Sequence, residues 1–102
     1  MKYIKIFENI NKNDKCPKLM IGYYIIVKIR DDRRSYVNLN KINFFESHIG
    51  KVDELKQDYL GVKFDQSFDD DYYFIFNYDE IEFYSKNKKD AEMYLISKKY
   101  NL

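Results

Sequence analysis

The sequence contains few of the residues that build covalent, metal-bound or phosphate-binding sites. Its 102 residues include one cysteine, one histidine, one proline, three glycines and no tryptophan. A single cysteine, Cys16, excludes an internal disulfide and favours a reducing compartment. Cys16 and His48 together provide neither a zinc ligand set nor an oriented nucleophile pair, and isolated glycines form no phosphate-binding loop. We therefore predict a protein that is not an enzyme, with no catalytic residues, no metal and no cofactor.

Long apolar runs are also missing. No stretch approaches the roughly 20 residues that a helix needs to cross a bilayer, and residues 1–8 lack the apolar core and cleavage site of a signal peptide. Lysine outnumbers arginine 15 to 3, isoleucine and asparagine are frequent, and threonine is absent. This skew is typical of AT-rich coding, as in low-GC bacteria and their phages. We expect a protein of the bacterial cytoplasm without a membrane partner.

Charge is segregated along the chain, although the net charge is only +1. Residues 1–34 carry nine basic and four acidic side chains, a balance of +5, whereas residues 65–82 stand at −7. Within residues 64–84, nine of the 21 side chains are aromatic and seven are acidic, and none is Lys or Arg. An acidic, aromatic segment between basic ends favours a binding function, with a basic partner for the acidic part.

Hydrophobic patterning predicts a single α+β domain over residues 1–102 that consists mainly of strands. Residues 23–30 are dense in β-branched and aromatic side chains, and residues 49–56 and 59–65 predict a hairpin around Gln57-Asp58. Gly50 and Gly61 fall inside that hairpin, where glycine marks bulges or sharp bends. Such bends are what a small closed sheet requires.

The remaining elements follow from periodicity and capping residues. Leu39, Ile42 and Phe45 recur at helical spacing. Asn87 and Asp90 form a capping-box-like pair before the last helix. The predicted parts are an N-terminal arm or strand with a loop (1–19), a barrel (20–84) and a C-terminal helix (86–100). The barrel includes the inserted helix (38–47) and two further strands (72–76 and 80–84), which the turn at 77–79 connects.

Two short motifs carry a family resemblance. Ile49-Gly-Lys-Val, followed by Leu60-Gly-Val-Lys-Phe-Asp65, resembles the central hairpin of KOW-type and related SH3-like small β-barrels. Residues 79–92 are similar to the ending of small uncharacterised proteins of low-GC phages and mobile elements. The resemblance covers about residues 20–95 and implies an SH3-like barrel with a short inserted helix and a C-terminal helix. Because such barrels bind peptides, RNA or DNA, it leaves the function open.

The leading functional hypothesis is a protein-binding domain that acts through an acidic surface. Strand alternation over residues 79–84 predicts that Glu80 and Glu82 point outward, with Ile81 and Phe83 inward. Phe64, Phe74 and Phe76 are also expected in the core. The predicted partner-binding residues are Asp69, Asp70, Asp71, Tyr72, Tyr73, Asp79, Glu80 and Glu82. Such carboxylates can imitate phosphates, so the partner could be a host nucleic-acid-handling or defence protein that a phage-encoded inhibitor blocks.

Two other classes of function stay open. All three arginines, Arg30, Arg33 and Arg34, lie together, and their guanidinium groups suit phosphates, so the alternative is a nucleic-acid-binding barrel. The overall charge is lower than such domains usually carry. A third reading is a structural subunit or homodimer that pairs through an exposed Tyr/Ile edge strand. Asp65 and Asp69–Asp71 suggest calcium only weakly, because they lack the spacing and glycine of a calcium loop.

Overall fold

Five strands, three α-helices and one 3-10 helix occur in residues 18–100, the part of the chain that the computed structural model describes. The predicted arm (1–19) and Cys16 lie outside these residues, apart from Lys18 and Leu19. The elements are β1 (Tyr24–Val27), α1 (Asp31–Arg34), α2 (Leu39–Ser47), β2 (Gly50–Leu55), β3 (Tyr59–Phe68), β4 (Asp71–Asn77), a 3-10 helix (Tyr78–Glu80), β5 (Ile81–Ser85) and α3 (Lys88–Lys99). The inserted helix, the β2–β3 hairpin and the C-terminal helix are thus confirmed within one to three residues.

The five strands form one antiparallel sheet in the order β4-β3-β2-β1-β5. Two hairpins join β2 to β3 and β3 to β4, and β5 returns to lie beside β1. The α+β class is therefore confirmed. The expected barrel closure is not found within residues 18–100, where β4 and β5 form the two edges of an open sheet instead of pairing with each other.

Helix α2 packs on one face of the sheet and forms the main core. Asn38 caps this helix, since its side-chain oxygen accepts the amide of Asn40 at 2.7 Å. Phe45 is 3% exposed, and its ring centroid lies 4.9 Å from those of both Phe74 and Phe76. The buried members of this core are Leu19, Ile25, Val27, Ile29, Ile42, Phe45, Val52, Leu60, Val62, Phe64, Phe76 and Tyr78. Phe64 and Phe76 are buried as expected, and Phe74 packs partly buried against them.

Helix α3 lies on the opposite face, which we call the outer face, over β1 and β5. In β1, Ile26 lies between the core residues Ile25 and Val27, so strand alternation places its side chain on the outer face. Ile26 pairs with Phe83 and is fully buried. Phe83 in turn stacks on Tyr94 of α3 at 4.6 Å between ring centroids. Asn87 occupies the N-cap position as predicted, but Asp90 accepts the hydroxyl of Ser85 at 2.7 Å instead of completing a capping box.

Three of the strand pairings shift register, and two of these shifts are single-residue bulges that reset the alternation of the side chains. The third shift lies between Lys63 and Phe68, in the pairing of β3 with β4. Val52 pairs with Val62 whereas Glu54 pairs with Gly61, so β2 has an extra residue opposite Gly61, as a glycine inside a strand indicates. In β5, Phe83 pairs with Ile26 but Ile81 pairs with Val27, which leaves Glu82 as the extra residue. The expectation that Ile81 and Phe83 share one inward face is wrong for this reason.

Candidate protein-binding surface

The three arginines lie together, as the sequence predicts, but each contacts a carboxylate of the same chain. Arg34 Nη1 donates to Glu46 at 2.7 Å, and this hydrogen bond raises the pKa of Arg34. Arg33 Nε lies 3.1 Å from Glu80. Arg34 therefore has fewer free donors for phosphates, whereas Arg33 Nε is buried in ion-pair contact with Glu80 without a hydrogen bond.

Arg30 joins the loop before α1 to the 3-10 helix. Its guanidinium lies 3.1 Å from Asp32 and 3.3 Å from Asp79. Burial alone lowers the pKa of Arg30, but the hydrogen bond and charge of Asp79, with the charges of Asp32 and Glu80, raise it overall. Asp79 is therefore held in an ion pair, although we expected it on a free acidic surface.

Glu80 is the largest departure from the predicted surface, because its side chain is fully buried. One carboxylate oxygen accepts the backbone amide of Arg30 at 3.1 Å, and the other accepts that of Asn77 at 3.0 Å. The outward placement of Glu80 is wrong because the residue belongs to a 3-10 helix rather than to β5. Glu80 acts as a structural carboxylate that fixes the start of β5 against α1.

Glu82 is also occupied, by helix α3. Its carboxylate accepts the ammonium of Lys98 and the hydroxyl of Tyr94, each at 2.8 Å. Burial alone raises the pKa of Glu82, but these two hydrogen bonds lower it more, so the group stays ionised to lower pH. The pairing follows from the bulge, which directs Glu82 toward the outer face that α3 covers.

The carboxylates that remain free lie at the other end of β4. Asp69, Asp70 and Asp71 form what we call the acidic tip, between β3 and β4, and their side chains make no hydrogen bond or ion pair to residues 18–100. Strand β4 has seven residues, so about 20 Å separate the tip from the 3-10 helix at ~3.3 Å per residue. The eight predicted partner-binding residues therefore form two separate groups.

The backbone of the acidic tip is held in an unusual conformation. Asp69 and Asp70 have φ values of 55° and 68°, and they form the turn between the paired residues Phe68 and Asp71. Two successive residues with positive φ are the mark of a hairpin turn that favours Asn-Gly. Two aspartates at these positions combine steric strain with like-charge repulsion, so the tip is not optimised for folding.

Exposed aromatic side chains continue from the tip along β4. Tyr72 and Tyr73 are 48% and 40% exposed, as a binding role requires. The sequence prediction missed Ile75, which is 51% exposed, and Tyr59, which is 37% exposed, on the neighbouring strand. Strict alternation along β4 would have found Ile75, because it places Tyr73 and Ile75 together, opposite Phe74 and Phe76.

Tyr73 has a defined position on the outer face. Its ring lies over Gly61, where an added Cβ would come within 2.6 Å of ring carbon Cζ. Its hydroxyl donates to Glu54, and this bond raises the pKa of Tyr73 to about 12 and lowers that of Glu54. The exposed ring is thus presented in one orientation, which reduces the entropy cost of a contact.

A cleft borders the acidic tip on the other side. It encloses about 480 Å³ between the tip and the start of α2. Tyr36, Asn40, Lys41 and Asp69 are among the residues that line it. Because Lys41 accompanies Asp69, the lining has no net charge and does not by itself select a cationic side chain.

Other kinds of site find no support among the described residues. His48 ends α2, where its ring stacks on Phe44 at 4.3 Å and its Nδ1 lies 2.8 Å from the carbonyl oxygen of Phe44. No cluster of three or more potential metal ligands occurs within residues 18–100. In the same range, none of the helices combines the length and apolar character that a membrane crossing requires.

Comparison with known proteins gives no relative. No protein-family model, curated protein or solved structure matches this chain.

Proposed function

We propose that this chain is a non-enzymatic protein-binding domain whose partner presents a basic surface. The partner would contact the acidic tip and the exposed side chains of β4. The proposal includes a location in the bacterial cytoplasm. It also includes a relationship to SH3-like barrels, because the meander of β1–β4 and the return of β5 beside β1 are compatible with that fold.

One observation carries the proposal. Of the acidic residues predicted to bind a partner, only Asp69, Asp70 and Asp71 have side chains without a partner in residues 18–100, and they adjoin Tyr72 and Tyr73. Free carboxylates beside exposed tyrosines combine electrostatic attraction with amphipathic anchors of the kind found in binding hot spots. The tip also lies in a strained turn, and strained positions cluster at functional sites.

The class of partner follows from the same charges. A row of carboxylates repels nucleic acid and attracts a groove that normally binds phosphates. We therefore extend the proposal to inhibition of a host nucleic-acid-handling or defence protein, by occupation of its basic groove. The paired state of Arg30, Arg33 and Arg34 weighs against the alternative of direct nucleic-acid binding.

Affinity capture from a nuclease-treated bacterial lysate tests the proposal. The triple variant Asp69→Asn/Asp70→Asn/Asp71→Asn removes the charge of the tip, and asparagine tolerates the positive φ. Its matched control, Asp31→Asn/Asp58→Asn/Glu92→Gln, removes three exposed charges elsewhere. We expect a stoichiometric protein that the control still captures. The tip variant should bind it about threefold to a hundredfold more weakly, since each of three lost ion pairs costs about 0.2–1 kcal/mol.

Two results would contradict the proposal. A partner that binds the tip variant as tightly as the unaltered chain would exclude the acidic tip as the contact. A partner that disappears after nuclease treatment would favour the nucleic-acid alternative.

A further inference from the structure

The backbone of β4 offers a second kind of binding group. Within residues 18–100, β3 is the only strand that pairs with β4. In an antiparallel pair, every second residue directs its N–H and C=O away from the partner strand. About half of the seven residues of β4 therefore present unpaired backbone donors and acceptors at the sheet edge.

Within residues 18–100, most of this edge lacks the features that usually protect edge strands. Natural sheets protect their edges with lysine, proline, bulges, short strands or a covering element. Strand β4 contains no Lys, Arg or Pro, and it exposes Tyr72, Tyr73 and Ile75. Its pairing with β3 is regular from Tyr73 to Asn77, and the register shifts only beyond Lys63, next to the acidic tip. Strand β5, at the other edge, has five residues and a bulge at Glu82.

We propose that the β4 edge accepts an extended, basic segment of the partner as a sixth strand of the sheet. This inference rests on the proposed function and specifies how the partner is held. Main-chain hydrogen bonds to β4 supply affinity, and the side chains on the two faces of the added strand supply selectivity.

Charge identifies the occupant. The acidic tip lies at the start of β4, so a segment alongside it meets three free carboxylates and no cation from residues 64–84. Lysine or arginine at the end of the segment nearest the tip would pair with them. Alternate side chains along the segment would contact Tyr73 and Ile75 on the outer face, as cross-strand neighbours do.

A second copy of this chain fits the edge less well. Antiparallel pairing of two β4 strands about their centre would place Asp71 of each copy opposite Asn77 of the other. Asp79 lies two residues after Asn77 and would therefore also come near the tip of the other copy. The nearby Arg30 already contacts both Asp32 and Asp79. The tip of each copy would thus face Asn77 and Asp79 of the other, where the nearest arginine is already paired, so its charge would gain little compensation.

A set of three synthetic peptides tests the inference on the full chain. The parent peptide, acetyl-Lys-Val-Lys-Val-Lys-Val-Lys-amide, is basic and extended. Two analogues have the same side chains, but one is methylated at the backbone nitrogens of its valines and the other at those of its lysines. Each analogue loses the N–H groups of one edge and keeps the same charge. Affinity is measured by fluorescence anisotropy, and exchange of the amides of β4 and β5 by NMR.

We expect the parent peptide to bind and to slow amide exchange in β4, with no change in β5. We also expect the two analogues to differ from each other by at least tenfold in affinity, because only one edge of an added strand faces β4. The tip variant Asp69→Asn/Asp70→Asn/Asp71→Asn should weaken binding of the parent peptide.

Three outcomes would overturn the inference. Equal affinity of all three peptides, with loss in the tip variant, would show attraction by charge alone and would leave the proposed function standing. Failure of all three peptides to bind would show that the edge takes no extended basic segment, and the lysate capture would then decide the proposed function separately. Dimers that protect the amides of β4 without peptide, detected by light scattering, would make a second copy the occupant.

Discussion

The two edges of the sheet have opposite properties. Strand β5 begins at the buried carboxylate of Glu80 and continues through a bulge whose extra residue, Glu82, is bound by α3. Strand β4 begins at a turn with two positive φ values and continues through Tyr72 and Tyr73, both exposed. The first edge is fixed by interactions across the chain, whereas the second leaves charge, aromatic rings and backbone groups available.

This difference shows where the chain uses its charges. Arg30 and Arg33 lie more than 45 positions before their partners Asp79 and Glu80, so they tie the start of β5 to the other end of the domain. The acidic tip receives no such partner within residues 18–100. Within residues 18–100, the ion pairs of the predicted carboxylates thus lie near one edge, and the unpaired carboxylates and exposed tyrosines lie at the other.

The largest expected effect is at the start of β5. Removal of one member of a buried ion pair costs about 3–5 kcal/mol, so Glu80→Ala should lower the free energy of unfolding by about 3 kcal/mol. The variant also leaves the amides of Arg30 and Asn77 without their acceptor. Urea denaturation followed by circular dichroism measures the loss.

Asp79→Ala is the matched control for this substitution. Asp79 is the neighbouring residue and also pairs with an arginine, but its side chain is 32% exposed. Solvent screening limits the cost of its removal to about 0–1 kcal/mol. Equal losses in the two variants would show that burial of Glu80 does not distinguish the β5 edge.

At the β4 edge the expected effect is smaller and of opposite sign. The double variant Asp69→Asn/Asp70→Gly supplies the dipeptide that suits two positive φ values and removes two like charges. We expect the free energy of unfolding to rise by about 1 kcal/mol, while the parent peptide described above binds more weakly. A variant that gains no stability would show that the aspartates carry no folding cost in this turn.

The sequence predicts the elements of this fold better than it predicts its edges. Leu39, Ile42 and Phe45 identify α2 because their spacing alone places them on one helical face. Gly61 lies opposite the bulge of β2, and a side chain at this position would also collide with Tyr73. These signals depend on residues close together in the sequence, so composition and periodicity are enough to detect them.

The candidate site is less predictable because it depends on long-range contacts. The pairing of Arg33 with Glu80 exists only once β5 lies beside β1, and no local pattern anticipates it. The bulge at Glu82 shifts alternation by one residue and so sends Phe83 to the opposite face from Ile81. Composition alone identified the acidic tip, whose side chains depend on no distant partner within residues 18–100.

Acid stability tests the link between β5 and α3. The pKa of Glu82 is lowered in the folded state, so its interactions stabilise the protein above the unfolded pKa of about 4.3 and are lost as the pH falls through the folded value. Glu82→Gln removes this dependence. As the pH falls from about 5 to about 3, we expect the unaltered chain to lose more stability than the variant.

Glu92→Gln is the control for this substitution. Glu92 is an exposed carboxylate on α3, the helix that binds Glu82. Its acid profile, from urea titrations at each pH, should follow that of the unaltered chain. Matching profiles for Glu82→Gln and the unaltered chain would mean that Lys98 and Tyr94 do not preferentially bind the ionised carboxylate.

The smallest effect concerns Tyr73 on the outer face of β4. Its pKa is raised to about 12 by the hydrogen bond to Glu54, compared with about 10 in an unfolded chain. A raised pKa means that this contribution to stability is complete below about pH 10 and is lost as the pH rises through about 12. The difference between the absorbance titrations of the unaltered chain and Tyr73→Phe isolates the ionisation of this one phenol.

Glu54→Gln decides whether the carboxylate is the cause. Without the negative acceptor, the pKa of Tyr73 should fall toward its ordinary value, and the ring should lose the orientation that it has over Gly61. Gly61→Ala should have the same effect by displacing the ring directly. A titration of Tyr73 that is unchanged in both variants would show that the ring is not held by Glu54, and the β4 edge would then present its aromatic side chains without a fixed orientation.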